Sequence, residues 1–149
     1  MSQNRQPIAQ NIRNDADTWS LVDDVVAATF IGAKHCTWPM TIPRSHAAEI
    51  MHAYAAGLEY KAENGTQYIR APWITAQQRR ADCKSTAVLI ASMCAAAGRK
   101  VELQFLQYDD TDGDHWAHVY AVVDGVPVDP LLPFGQEYPY LRHLKVRIR

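Results

Sequence analysis

The sequence predicts an α+β fold: N-terminal helices, then a buried central helix packed on an antiparallel sheet. Three observations carry this. Apolar residues recur at helical spacing over the first part of the chain. A segment from about Asp82 to Ala97 is apolar on nearly every side and stops at Gly98. From Val101 onward the period changes to two, with an Asp124-Gly125 pair between two β-rich runs. A helix that is apolar all round belongs in the middle of a core, so the second segment is the natural centre of the fold.

The elements follow in order. Residues 1–17 are polar and without periodicity, and are expected to form a flexible or peripheral arm; residues 18–149 are expected to form one domain. Leu21, Val22, Val25, Val26 and Phe30 fall at helical spacing and predict a first helix. Two prolines between Cys36 and Pro43 predict a loop. Ser45 is a candidate cap for a second helix, with Glu49 in its first turn and Ile50, Met51, Tyr54 and Leu58 as its buried face. Glu63-Asn64-Gly65 is a turn signal, and Gln67 to Arg70 reads as a short strand before Pro72.

The third helix has the clearest ends. Asp82 suits its N-cap and Gly98 its C-terminal cap, which puts Cys83 in the first turn. Beyond it, Val101, Leu103 and Phe105 alternate with Glu102 and Gln104, as in a strand. Asp109 to Asp114 is an acidic loop. Trp116 to Val123 and Val126 to Asp129 flank Asp124-Gly125, a strong two-residue hairpin signal. Tyr138, Tyr140 and the basic tail from Arg142 to Arg149 could together form a contact surface, although such a tail is more often a solvated edge strand.

Composition narrows the function classes. A chain of 149 residues fits one domain, and at this size roughly two-thirds of the unfolded surface is buried without help from disulfides or metal. Fifteen basic and sixteen acidic residues leave a net charge of −1, which gives no electrostatic reason for nucleic acid or an anionic membrane as partner. Cys36, Cys83 and Cys94 make a poor disulfide framework, so reduced thiols and a cytoplasmic setting are expected. The first residues, Met-Ser-Gln-Asn-Arg-Gln-Pro, lack the apolar segment of a signal peptide, and the longest apolar run, within Ala87–Ala97, is too short to cross a bilayer. Cys83, Cys94, His115 and His118 have no zinc-site spacing, and Asp110, Asp112 and Gly113 match only part of a calcium loop. No metal and no cofactor is expected.

What remains is thiol chemistry. A nucleophilic cysteine needs a thiolate-favouring environment, a base within reach and a group that orients the base. Cys83 at a helix N-terminus meets the first requirement, because the free backbone N–H groups there favour negative charge. Cys94 lies in the helix body and reads as a core filler, and Cys36 as an incidental loop residue. With Asp124-Gly125 as a two-residue turn, Val123 pairs with Val126. That register sets Asp129 opposite Tyr120 and makes His118 its diagonal neighbour on the same face, roughly 7–8 Å away and within side-chain reach. The candidate catalytic residues are therefore Cys83 as nucleophile, His118 as general base and Asp129 as its orienter. Asp129-Pro130 also reads as a simple strand end. The Cys83 backbone N–H would be one oxyanion donor; Gln77, Gln78 and Trp73 are the candidates for a second.

The residues from Asp82 to Pro130, about a third of the chain, resemble the transglutaminase-like superfamily. The matching pieces are Asp82-Cys83 opening an apolar helix that ends at Gly98, then His118-Val119-Tyr120, Asp124-Gly125 and Val128-Asp129-Pro130, in the order Cys, His, Asp. Ala81 stands where a glycine is usual before Asp-Cys. Asp82-Cys83-Lys84-Ser85 is similar to the small members encoded in phage and prophage regions, which would place the protein in a host cytoplasm or with a virion. The resemblance implies a papain-like fold core and thiol chemistry on amides, with the roles above for Cys83, His118 and Asp129.

The resulting expectation is a cysteine peptidase or amidase acting on a peptide or protein amide through a Cys83 thioester. The rivals are a non-catalytic binding or structural module on the same fold, and an amide acyl transferase in which an amine instead of water resolves the thioester. The chain's small size favours water. Its oligomeric state is not legible.

Overall fold

In chain order the elements are β1 (Ile8–Asn11), α1 (Asp15–His35), α2 (Ala47–Ala56), β2 (Glu59–Tyr60), β3 (Thr66–Ile69), α3 (Pro72–Gln78), β4 (Arg80–Ala81), α4 (Cys83–Ala96), β5 (Val101–Gln107), β6 (His118–Val123), β7 (Val126–Val128) and β8 (Arg142–Ile148). The structure, a computed structural model, describes residues 8–11, 15–60, 66–107 and 117–148. The predicted turn at Glu63-Asn64-Gly65, the acidic loop Asp109–Asp114, His115 and Trp116 lie outside the described residues.

Helix α4 organises the rest. Asp82 is extended (φ −88°, ψ −174°) and its side chain accepts from the Ser85 backbone N–H at 3.1 Å, closing the first turn. At the other end Gly98 takes φ 80°, Gly98 N–H donates to the Ala95 carbonyl at 2.9 Å and Arg99 N–H to that of Cys94 at 3.0 Å. Those two bonds form a Schellman cap, which satisfies the last carbonyls and stops the helix where the sequence predicts. Between the caps every residue from Lys84 to Ser92 is buried, and the helix packs on α1, α2, α3 and β6. Contact with α1 is close at Gly32, where an added Cβ would stand 2.2 Å from Ser92 Oγ.

Among the described residues the main sheet runs β7-β6-β5-β8, all antiparallel. Its hairpin has the predicted register: Val123 pairs with Val126, Val122 with Pro127 and Ala121 with Val128. Asp124 and Gly125 supply the positive φ values (51° and 82°) that a type I′ turn requires. Alternation then sorts the side chains. Val101, Leu103, Phe105, Val119, Ala121 and Val123 join the core with α4, while Leu106, Tyr120 and Val122 form a smaller cluster on the opposite face, backed by Tyr138. That second cover buries Gln104, which period-two reading places on an open face. Its amide donates to the Tyr120 hydroxyl at 2.6 Å and to Glu137 at 3.1 Å.

Elsewhere the structure differs from the sequence reading. Helix α1 begins at Asp15 and runs to His35, well beyond its apolar stripe, and Ile8–Asn11, in the stretch read as an arm, pairs antiparallel with Thr66–Ile69. Ser45 does not cap α2: it lies inside a 3-10 turn, Arg44–His46, and the cap position is His46, with no side-chain bond. The buried face of α2 is Ala47, Ala48, Met51 and Ala55, whereas Tyr54 is exposed. Alanines let the α2 backbone approach α4, so the helix turns its small residues inward and its tyrosine out. Helix α3 has no sequence forecast; Pro72 opens it at a position where the missing N–H costs nothing.

Candidate active site

The chain reaches Cys83 through a sharp turn. Helix α3 ends at Arg79 in the left-handed conformation (φ 60°), a strained place for a residue with a Cβ. Arg80 and Ala81 then bridge Glu59 and Tyr60 in parallel, and Glu59 N–H donates to the Arg79 carbonyl at 3.0 Å. The tight point that a glycine before Asp-Cys would supply is thus made at Arg79, two residues upstream of Ala81. Cys83 is the first residue of α4 and half-buried, so its backbone N–H is one of the helix donors with no partner inside the helix.

Asp82 is 2% exposed and Lys84 6%, and the two form an ion pair. One Asp82 oxygen takes the Ser85 N–H and the other the Lys84 ammonium. Thr86 Oγ1 donates to the Asp82 carbonyl at 2.7 Å. The carboxylate next to the thiol is therefore both hydrogen-bonded and neutralised, and adds little net negative charge where a thiolate would form. Sequence reading found the cap but missed Lys84, although a lysine at the start of an otherwise apolar helix is a visible signal.

His118 opens β6 and Asp129 follows β7, so the hairpin register brings them together. His118 Nε2 donates to Asp129 Oδ2 at 2.6 Å, with both residues buried. Asp129 Oδ1 accepts from Leu131 N–H at 3.1 Å. The Asp-Pro turn and the histidine contact are thus made by one carboxylate, each with its own oxygen. The His118 ring is edge-on to Tyr138 (centroids 5.7 Å apart) and tilted against Tyr120 (5.8 Å). With Nε2 committed, Nδ1 is the nitrogen left for a second partner, and Cys83 lines the same cleft as this imidazole. Burial is the largest single influence on His118 and disfavours its charged form. The hydrogen bonds to Asp129 and Cys83, with their negative charges, outweigh it together and push the imidazole up to about 9. That shift favours the imidazolium, the form that can give a proton to a leaving group.

These groups line one cleft, with Tyr60, Cys83, Thr86, His118, Asp129 and Leu131 among its walls. Tyr60 and Leu131 are exposed at its rim. The three residues predicted as a triad therefore share one cleft. The predicted second oxyanion donors do not: Trp73 is half-buried in α3, Gln77 and Gln78 are exposed at its end, and none lines the cleft. The other two thiols do not line the cleft. Burial pushes Cys36 up and pushes Cys94, wholly enclosed, to about 12. Among the described residues no three His, Cys, Asp or Glu side chains gather as metal ligands, and no helix is long and apolar enough to cross a membrane.

No family model and no curated protein matches the chain. A solved structure to which it is similar is described as a "Putative Cysteine Protease" from Cytophaga hutchinsonii. The two share 13% identity at a TM-score of 0.44, over 76% of this chain and 42% of that one. The chain thus spans less than half the length of that protein, and a likeness at this level carries no argument about activity.

Proposed function

We propose that the protein is a thiol-dependent amide hydrolase of the transglutaminase-like, papain-like kind, cleaving a peptide or protein amide through a Cys83 thioester. The observation that carries this is the 2.6 Å His118–Asp129 bond in the same cleft as a cysteine at a helix start. In the reacting form the thiol proton has passed to His118, and the sulfur attacks as thiolate. The thiolate forms a C–S bond to the amide carbon, and the carbonyl π pair moves to oxygen. As the carbonyl re-forms, the C–N bond breaks and the leaving nitrogen takes the His118 proton. Neutral His118 then accepts a proton from a water molecule as that water attacks the thioester, and Cys83 leaves as thiolate. Asp129 holds the ring by Nε2 throughout and stabilises its positive charge.

Incubation with a mixed peptide pool, read by mass spectrometry, tests the reading. New chain termini or carboxylates formed from amides are expected with the natural protein and absent with Cys83→Ala and with His118→Ala. Product formation that persists in Cys83→Ala would overturn it.

A further inference from the structure

An oxyanion held by a single backbone N–H is under-stabilised, and the sequence-predicted side chains for the second donor all lie away from the cleft. The donors that do line it can be taken in turn. His118 Nε2 is committed to Asp129, and the same ring serves Cys83 as its base in the hydrolase reading. Thr86 Oγ1 donates to the Asp82 carbonyl, and the Tyr120 hydroxyl donates to Glu137. Tyr60 also lines the cleft, and among the described residues its hydroxyl has no hydrogen-bond partner.

We infer that Tyr60 is the second oxyanion donor, its hydroxyl acting with the Cys83 backbone N–H on the oxygen of the tetrahedral intermediate. This rests on the thiol-hydrolase reading and deepens it. The backbone supports the placement. Tyr60 pairs directly with Ala81, two residues before Cys83, and the Glu59–Arg79 bond holds β2 against the turn that leads into α4. A two-residue parallel bridge buries little and is otherwise hard to account for; here it carries a phenol to the nucleophile. The phenol also stays in its donor form. Burial first, then the charges of Cys83, Asp82 and Asp129, push it up to about 12, so it keeps its proton wherever His118 keeps its own. Half-exposed at the rim, Tyr60 can swing onto an oxyanion without breaking an existing bond.

The test compares two reactions of the same sulfur. Acylation of Cys83 by p-nitrophenyl acetate, followed by the nitrophenolate burst, passes through an oxyanion. Alkylation by iodoacetamide, followed by peptide mass spectrometry, does not. In Tyr60→Phe acylation is expected to slow roughly 10²–10³-fold while alkylation keeps its rate. Equal acylation in Tyr60→Phe and the natural protein, with Cys83 still alkylated ahead of Cys36 and Cys94, would overturn the donor role and leave the hydrolase reading standing. Parallel loss of both reactions would also overturn it, since Tyr60 would then act on the thiol or the fold. If Cys83 has no preference over the other two thiols, the hydrolase reading fails and the donor role fails with it.

Discussion

His118 Nε2 donates to Asp129 Oδ2 at 2.6 Å across the end of a hairpin whose turn is set by Asp124 and Gly125. The bond keeps a buried imidazole charged against the cost of its burial, with the pKa raised to about 9. In the proposed hydrolysis the leaving nitrogen needs that proton, so the rate of amide cleavage is expected to fall as pH rises through about 9. In Asp129→Asn the ring loses a charged partner, the falling limb moves to lower pH, and the rate at neutral pH drops by roughly 10²-fold or more. A limb that stays in place in Asp129→Asn would detach Asp129 from the histidine's proton.

The same bond contributes to folding. The folded-state pKa of His118 lies above the unfolded value of about 6.5, so the folded protein binds the proton more tightly. Its contribution is fully present below about pH 6.5 and is lost as pH rises through about 9. The stability difference between the natural protein and Asp129→Asn is therefore expected to be largest in mild acid and to shrink over that interval. Urea unfolding at a series of pH values measures it; a difference that grows with pH would contradict the assigned direction.

Three thiols in three surroundings give a selective-labelling prediction. Cys94 is enclosed and pushed up to about 12, and burial raises Cys36 as well. With a limiting amount of iodoacetamide at neutral pH, Cys83 is expected to carry at least ten times the label of either, because the thiolate is the reactive form. Equal and slow labelling of all three would count against an activated thiol.

How far the sequence reached depended on whether a feature was local. Asp82 and Gly98 cap α4 through bonds within one turn, and the hairpin register follows from a two-residue turn, so the helix start, the strand pairing and the His118–Asp129 contact were all legible. Tyr60 was not, because its strand is two residues long and its neighbour Ala81 is far away in sequence. The inward face of α2 was misread for a related reason: Ala47, Ala48 and Ala55 carry little hydrophobic signal, and only the nearness of α4 selects them over Tyr54.

Lys84 and Asp82 form a buried pair whose worth lies in not being half-broken. Lys84→Met leaves a carboxylate at 2% exposure without its cation, and is expected to cost about 3–5 kcal/mol. Adding Asp82→Asn removes the stranded charge yet keeps an N-cap oxygen for Ser85 N–H, so the double variant is expected to recover much of that loss. Denaturant unfolding of both variants decides it. A double variant no more stable than Lys84→Met alone would mean that the lysine acts through packing and not through the carboxylate.

Gly32 sets two effects of opposite sign against each other. It sits inside α1, where replacing glycine with alanine ordinarily stabilises a helix by roughly 0.5–1 kcal/mol. Here the new Cβ would stand 2.2 Å from Ser92 Oγ and 2.8 Å from both Ser92 Cβ and Pro72 Cγ, closer than real contacts allow. Ser92 is fully buried in α4 and Pro72 belongs to the rigid first turn of α3, so neither neighbour yields cheaply. Pushing α1 off α4 is expected to cost about 1–3 kcal/mol, more than propensity returns. Gly32→Ala should therefore unfold at lower temperature than the natural protein. Gly32→Ala with Ser92→Ala removes the nearest atom but leaves the Cβ contact, and should recover only part of the loss. A Gly32→Ala variant more stable than the natural protein would show that α1 does not rest on α4 at this separation.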